Sequence, residues 1–120
     1  MKPNTSFSFL KNNHVAPLGA SFMYLYAPIL GGQASQLYSF LMSLYDQGQE
    51  KRLIATILNH LDLGFAPFLD SLDRLIAMDL LEVFETHEEI QIRLLSPLEA
   101  FLFLANPVYK TLLKKKIGDQ

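Results

Sequence analysis

Hydrophobic and polar positions follow two different periods along this chain, and the switches between them mark its elements. Thr5–Lys11, TSFSFLK, repeats every second residue: Phe7 and Phe9 share one face, Ser6 and Ser8 the other. That is the pattern of a short strand. Asn12, Asn13 and His14 follow as a loop. Pro17 can open a helix as its first residue, and Leu18, Phe22, Leu25 and Tyr26 then fall on one helical face. Pro28 is expected to stop it, because the residue before a proline is pushed out of helical geometry. After Gly31-Gly32, the spacing predicts a helix over Gln33–Asp46, with Ala34, Leu37, Tyr38, Leu41, Leu44 and Tyr45 at i, i+3, i+4 and i+7 intervals. Phe40 and Met42 lie off that stripe. A helix apolar around most of its circumference is central in a fold or covered by another chain. Gly48 suits its C-terminal cap.

Glu50–His60 reads as a short amphipathic helix, with Leu53, Ile54, Ile57 and Leu58 inward. Leu61-Asp62-Leu63-Gly64 is a tight turn in which Asp62 can cap the next helix, and Pro67 is tolerated in that helix's first turn. It runs to about Met78, with Phe65, Phe68, Leu69, Leu72, Leu75 and Ile76 inward and Ala66, Asp70, Ser71, Asp73, Arg74 and Ala77 outward. Two helices joined in this way form a helix-turn-helix. The stretches Leu80–Glu85 and Ile90–Leu94 alternate as strands around Thr86-His87-Glu88-Glu89, which makes a hairpin, or wing. Ser96-Pro97-Leu98-Glu99 has the form of a capping box and opens a helix over Pro97–Ala105. Asn106-Pro107 restarts one over Pro107–Ile117, whose terminal Lys114-Lys115-Lys116 suits the helix dipole.

The expected fold class is therefore mainly α (α+β): a winged helix, helix-turn-helix plus β-hairpin wing, with an N-terminal strand and extra flanking helices. One domain is expected over 1–120, read as the N-terminal fragment of a longer protein. Within it, 1–16 holds the strand and loop, 17–96 the winged-helix core with its leading helix, and 97–117 the C-terminal helices.

Composition sharpens this picture in one direction. Half of the 120 residues are hydrophobic and 18% are charged, more apolar surface than a small domain easily hides, which points to a partner or to self-association. Asn12 to Tyr45 contains no Asp, Glu, Lys or Arg. Pro17, Gly19, Pro28 and Gly31-Gly32 break that run below the ~20 residues of a membrane span. No basic-then-apolar secretory pattern stands in Met1–Leu10. A cytoplasmic location is expected, with membrane association peripheral if present at all.

Candidate chemistry is sparse. His14, His60 and His87 have no second ligand at metal spacing, and His87-Glu88-Glu89 lies in the wing tip. Ser21 lies in GASFM, which lacks the second glycine of a nucleophile elbow, no phosphate-cradling glycine loop is present, and there is no cysteine. No catalytic, cofactor-binding or metal residue is assigned, and no enzyme activity is expected. DNA binding, the reflex inference from a winged helix, meets a charge problem. Asp70 and Asp73 outnumber Arg74 on the outer face of the second helix, and Glu88 and Glu89 at the wing tip repel phosphate. The candidates for DNA backbone contact are Lys51, Arg52, Arg74, Arg93, Lys114, Lys115 and Lys116. The candidates for an oligomer interface are Phe7, Phe9, Phe40 and Met42, with the N-terminal strand offering an edge to a second copy.

The ordered series LYAPILGGQASQLYSFL, helix-turn-helix, LDRLIAMDLLEVFE with its wing, and IRLLSPLEAFLF resembles the N-terminal domain of the DnaB/DnaD-type primosomal replication initiation (and membrane attachment) protein family of Gram-positive bacteria, distinct from the hexameric helicase of similar name. The matching residues are Leu25-Tyr26, Pro28-Ile29 and Gly31, then Leu37-Tyr38, Leu72, Leu75 and Leu80-Leu81, then Ser96-Pro97-Leu98 ahead of Phe101. The resemblance implies a protein-contact and oligomerisation domain that assists loading of the replicative helicase. Its implied partners are itself, as dimer or tetramer, a DnaD-type protein, a helicase loader and the replicative helicase. DNA contact is implied to be weak or to belong to C-terminal domains. The alternative is a winged-helix DNA-binding transcription regulator. A further rival is a peripheral membrane-attachment module built on the charge-free run.

Overall fold

The computed structural model describes residues 1–11, 25–48, 50–98 and 100–117. Its elements run β1 (Ser6–Phe9), α1 (Ala27–Leu30), α2 (Gly32–Gln47), β2 (Arg52–Leu53), α3 (Ile54–Leu61), α4 (Phe65–Ala77), β3 (Leu81–Glu85), β4 (Glu89–Leu94), α5 (Ala100–Ala105) and α6 (Pro107–Ile117). Helices α3 and α4 form the helix-turn-helix, and β3–β4 the wing.

Helix α2 organises the interior. Ala34, Leu37, Tyr38, Leu41, Met42 and Leu44 are all buried, so the apolar circumference legible in the sequence is covered from several sides within one chain. Helix α4 packs along α2. Phe40 stacks on His60 of α3 at 4.4 Å between ring centroids, and Phe9 of β1 meets Tyr45 edge-on at 5.7 Å. Helix α2 ends at Gly48, whose φ of 137° lies in the region that favours glycine.

The sheet has the order β2-β1-β4-β3. Strand β1 pairs antiparallel with β2 through Ser6 and Phe7 and parallel with β4 along its whole length, Phe7 opposite Ile90 and Phe9 opposite Ile92. The N-terminal strand therefore lies inside the wing sheet. The edge expected for pairing with a second copy is taken by β4 on one side and is covered by β2 at Ser6 and Phe7 on the other.

Several local expectations change. Pro28 does not stop a helix: it lies in the first turn of α1, where a missing N–H costs nothing. The helix expected from Pro17 falls, up to residue 24, outside the described residues. Residues 50–53 are not helical; Arg52 and Leu53 pair with β1, and Leu53, expected inward, is 47% exposed. Asp62 does not cap α4. It closes α3 in the left-handed conformation with φ of 50°, and Gly64 precedes α4. Ser96, Pro97 and Leu98 are not helical, so α5 begins at Ala100 and Glu99 falls outside the described residues. On α4, Ser71 is buried and Ile76 is 41% exposed, the reverse of their predicted sides. Ser71 shares a small notch with Gly31, Gly32 and Ala34, and a small residue at that point lets α4 approach α2.

Three tyrosines tie the segment after the wing to this core. The Tyr38 hydroxyl donates to the Leu95 carbonyl, and the Tyr26 hydroxyl accepts from the Leu98 N–H at 2.8 Å. Tyr109 of α6 donates to Asp79 at 3.1 Å, with the Met78 carbonyl 3.3 Å away. Phe103, fully buried, stands 4.8 Å from the Tyr26 ring and 5.1 Å from Tyr109. Asn106 caps α6, accepting from the Val108 and Tyr109 N–H groups at 3.0 and 3.2 Å.

Candidate protein-contact surface

In a winged helix the outer side of the second helix, together with the wing, is the face that meets DNA in nucleic-acid-binding members of the architecture. Here that face is built differently. Phe68, Leu72 and Leu75 turn into the core, while Leu69 is half-buried and Ile76 and Asp73 are exposed. Strand β3 is an edge strand of the sheet. Its period of two puts Leu81, Val83 and Glu85 on one side and Glu82 and Phe84 on the other. Val83 and Glu85 face α4, and with Met1, Leu69, Leu72, Asp73 and Ile76 they line a groove of about 420 Å³. Its floor is apolar, and its charged lining residues are Asp73 and Glu85. The wing tip beside it carries exposed His87 and Glu88.

The cations assigned to DNA backbone contact are mostly engaged on the protein's own surface. Lys51 Nζ lies 2.8 Å from a Glu89 carboxylate oxygen, and this hydrogen bond raises the lysine's pKa. Arg74 pairs with Asp70 at 3.0 Å and donates to the Leu30 carbonyl at 3.2 Å. Arg93 reaches Glu82 across the strand pair at 3.5 Å and covers the Phe84 ring at 5.4 Å. Arg52 is half-buried and donates to the Glu50 carbonyl at 3.4 Å. Lys114, Lys115 and Lys116 are exposed in the last turn of α6. The set is spread over β2, α4, β4 and α6, and none of it lines the α4–β3 groove.

The residues assigned to an oligomer interface also land elsewhere. Phe7 has no exposed surface, and Phe9 and Met42 are buried. They are packed in the chain's own core, and a side chain without exposed surface has none to offer a partner. Phe40 is half-buried against His60. The exposed large apolar side chains among the described residues are Leu53 and Ile76, which the sequence reading placed inward, with Phe84, and on the C-terminal helices Leu102, Leu104, Val108 and Ile117. Val108, 63% exposed, joins Pro107, Thr111, Leu112 and Lys115 around a shallow depression of about 440 Å³ on α6. Helical spacing of Val108, Leu112 and Lys115 was the signal available for this face.

Among the described residues, no cluster of three or more His, Cys, Asp or Glu side chains is placed to hold a metal, and no helix is long and apolar enough to cross a membrane. Nor does any buried side-chain nitrogen or oxygen among them lack a hydrogen-bond partner. Burial raises the pKa of Tyr26 and Tyr38, and burial with the nearby Asp79 carboxylate pushes Tyr109 up to about 12. These phenols act as structural donors and acceptors.

The family described as DnaB N-terminal winged helix domain matches this chain over residues 1–120. The chain belongs to that family. It is also similar, at 29% identity over 115 residues, to a Staphylococcus aureus protein described as a replicative helicase loading/DNA remodeling protein DnaB. That match covers 90% of this chain and 24% of the relative; the chain thus spans about a quarter of the relative's length. The crystal structure of the primosome protein DnaB from Geobacillus stearothermophilus, residues 1–300, superposes with a TM-score of 0.82 over 98% of this chain and 48% of that one. At 16% identity the superposition establishes a shared fold. The DnaB-type winged helix is therefore the frame in which the inserted β1 strand and the acid-rimmed groove are to be understood.

Proposed function

We propose that this DnaB-type winged helix domain is a protein-contact and self-association module of a primosomal replication-initiation protein, and that it assists loading of the replicative helicase through such contacts. The observation that carries this reading is the α4–β3 groove. The face with which a DNA-binding winged helix reads bases is here apolar in its floor, with Asp73 and Glu85 as its charged residues. An apolar depression of this kind is suited to a protein side chain, whereas carboxylates facing a phosphate backbone are repulsive. The helicase-loading description of the staphylococcal relative supports the same direction. The proposed partners are a second copy, as dimer or tetramer, and other primosomal proteins: a DnaD-type protein, a helicase loader and the replicative helicase. DNA contact by this domain is confined to weak backbone attraction at the Lys114–Lys116 end of α6.

Light scattering over a range of concentrations, together with duplex-DNA titration at physiological salt, tests the reading. The expected result is a mass above that of the monomer and weak DNA binding. A monomer at every concentration would remove the self-association half. Tight, steeply salt-dependent duplex binding would favour a transcription regulator instead.

A further inference from the structure

We infer that the α4–β3 groove receives helix α6 of a second copy of this chain. The inference rests on the self-association reading and names its contact.

Three observations support it. The first is dimension. On α4 the groove runs from Leu69 to Ile76. On α6 the exposed face runs from Pro107 to Lys115. The two stretches span seven and eight helical steps, about 10 and 12 Å at the rise of an α-helix, so the α6 face and the groove are of similar length. The second is charge. Asp73 and Glu85 are the groove's charged residues, while Lys115 closes the α6 face and exposed Lys116 follows it. Apolar contact flanked by opposite charges fixes both affinity and register. The third is availability. The inner face of α6 is committed to its own chain, with Tyr109 and Leu113 buried and Tyr109 held between Phe103, Tyr26 and Asp79. Its outer face, where Val108 stands 63% exposed, is uncovered among the described residues.

Because the two patches differ, one groove–helix contact is heterologous. Copies joined by it associate head to tail and close into a ring, or form two reciprocal contacts across a two-fold axis.

Charge exchange tests this. One variant carries Asp73→Lys with Glu85→Lys; the other carries Lys115→Glu with Lys116→Glu. All four positions are exposed, so far-UV circular dichroism should match the unaltered chain. Each variant by itself has like charges on both patches, and its self-association should weaken about tenfold or more. An equimolar mixture makes both patches complementary again, and light scattering should return the mass of the unaltered chain. If the unaltered chain associates and the reversed variants associate equally well, the inference fails while the self-association reading stands. Weakening by groove reversal alone, or a mixture that stays dissociated, assigns the groove to a different segment and also overturns it. A monomeric unaltered chain overturns both readings together.

Discussion

Replacing Phe7 with alanine separates a core role from an interface role for the N-terminal strand. Phe7 has no exposed surface, contacts the Phe9 ring edge-on at 5.7 Å, and stands opposite both Arg52 and Ile90 in the sheet. Full burial of a phenylalanine contributes about 1.5–3 kcal/mol from transfer alone. Truncation to alanine adds the cavity left beneath β1, for a loss of about 3–5 kcal/mol. Domains of this size have about 5–15 kcal/mol in total, so the variant should fold with a narrow margin. With a urea slope of about 2 kcal/mol per molar, the unfolding midpoint should fall by about 2 M. The assay is urea unfolding followed by circular dichroism at two protein concentrations well apart. A core defect lowers the midpoint equally at both, whereas an interface defect depends on dilution. An unchanged midpoint with reduced assembly mass would refute the placement of Phe7 in the core and restore the strand to the interface.

Two further outcomes follow from single features of the fold. Gly31 has φ of 84° and ψ of 170°, a region open essentially to glycine, while an added Cβ would meet Arg74 only at an ordinary 3.7 Å. Gly31→Ala should therefore cost about 1–3 kcal/mol through backbone strain alone, and a thermal melt within error of the unaltered protein would contradict the geometry. Alkaline pH should destabilise the fold in a defined window. The unfolded chain loses its tyrosine protons near pH 10, whereas Tyr109 holds its own to about 12, with Tyr26 and Tyr38 also raised. The folded state thus binds more protons in that interval, so the tyrosines' contribution to stability is fully present below about pH 10 and is lost as pH rises toward 12. Melting temperature and tyrosinate absorbance recorded together check this; a flat melting temperature across the window would rule it out.

Local periodicity carried the helices and the hairpin. The i, i+3, i+4 spacing in α2 and α4 and the alternation in IQIRL report which side of each element is apolar, and those are properties of neighbouring residues. The LYxPIxG lead-in, with its Pro28 and Gly31, was legible as a marker of the family. Its function in the fold was not: Pro28 opens α1, and Gly31 turns the chain so that Arg74 reaches the Leu30 carbonyl from α4. A residue's effect on helix boundaries depends on which hydrogen bonds its neighbours make, and those partners lie far along the chain.

By itself the sequence determined a winged helix with an apolar central helix and a surplus of apolar surface, because composition and period are additive along a chain. Tertiary structure alone decided where that surplus goes. Pairing β1 between β2 and β4 is a non-local choice, made with partners more than forty residues away, and it buries Phe7 and Phe9. The close approach of α4 to α2 at Ser71 leaves Ile76 facing the wing. Phe103 and Tyr109 dock α6 by one face and leave Val108 and Lys115 on the other. Which apolar residue becomes core and which becomes contact surface is set by the packing of elements against one another, a relation that periodicity within any single element does not contain.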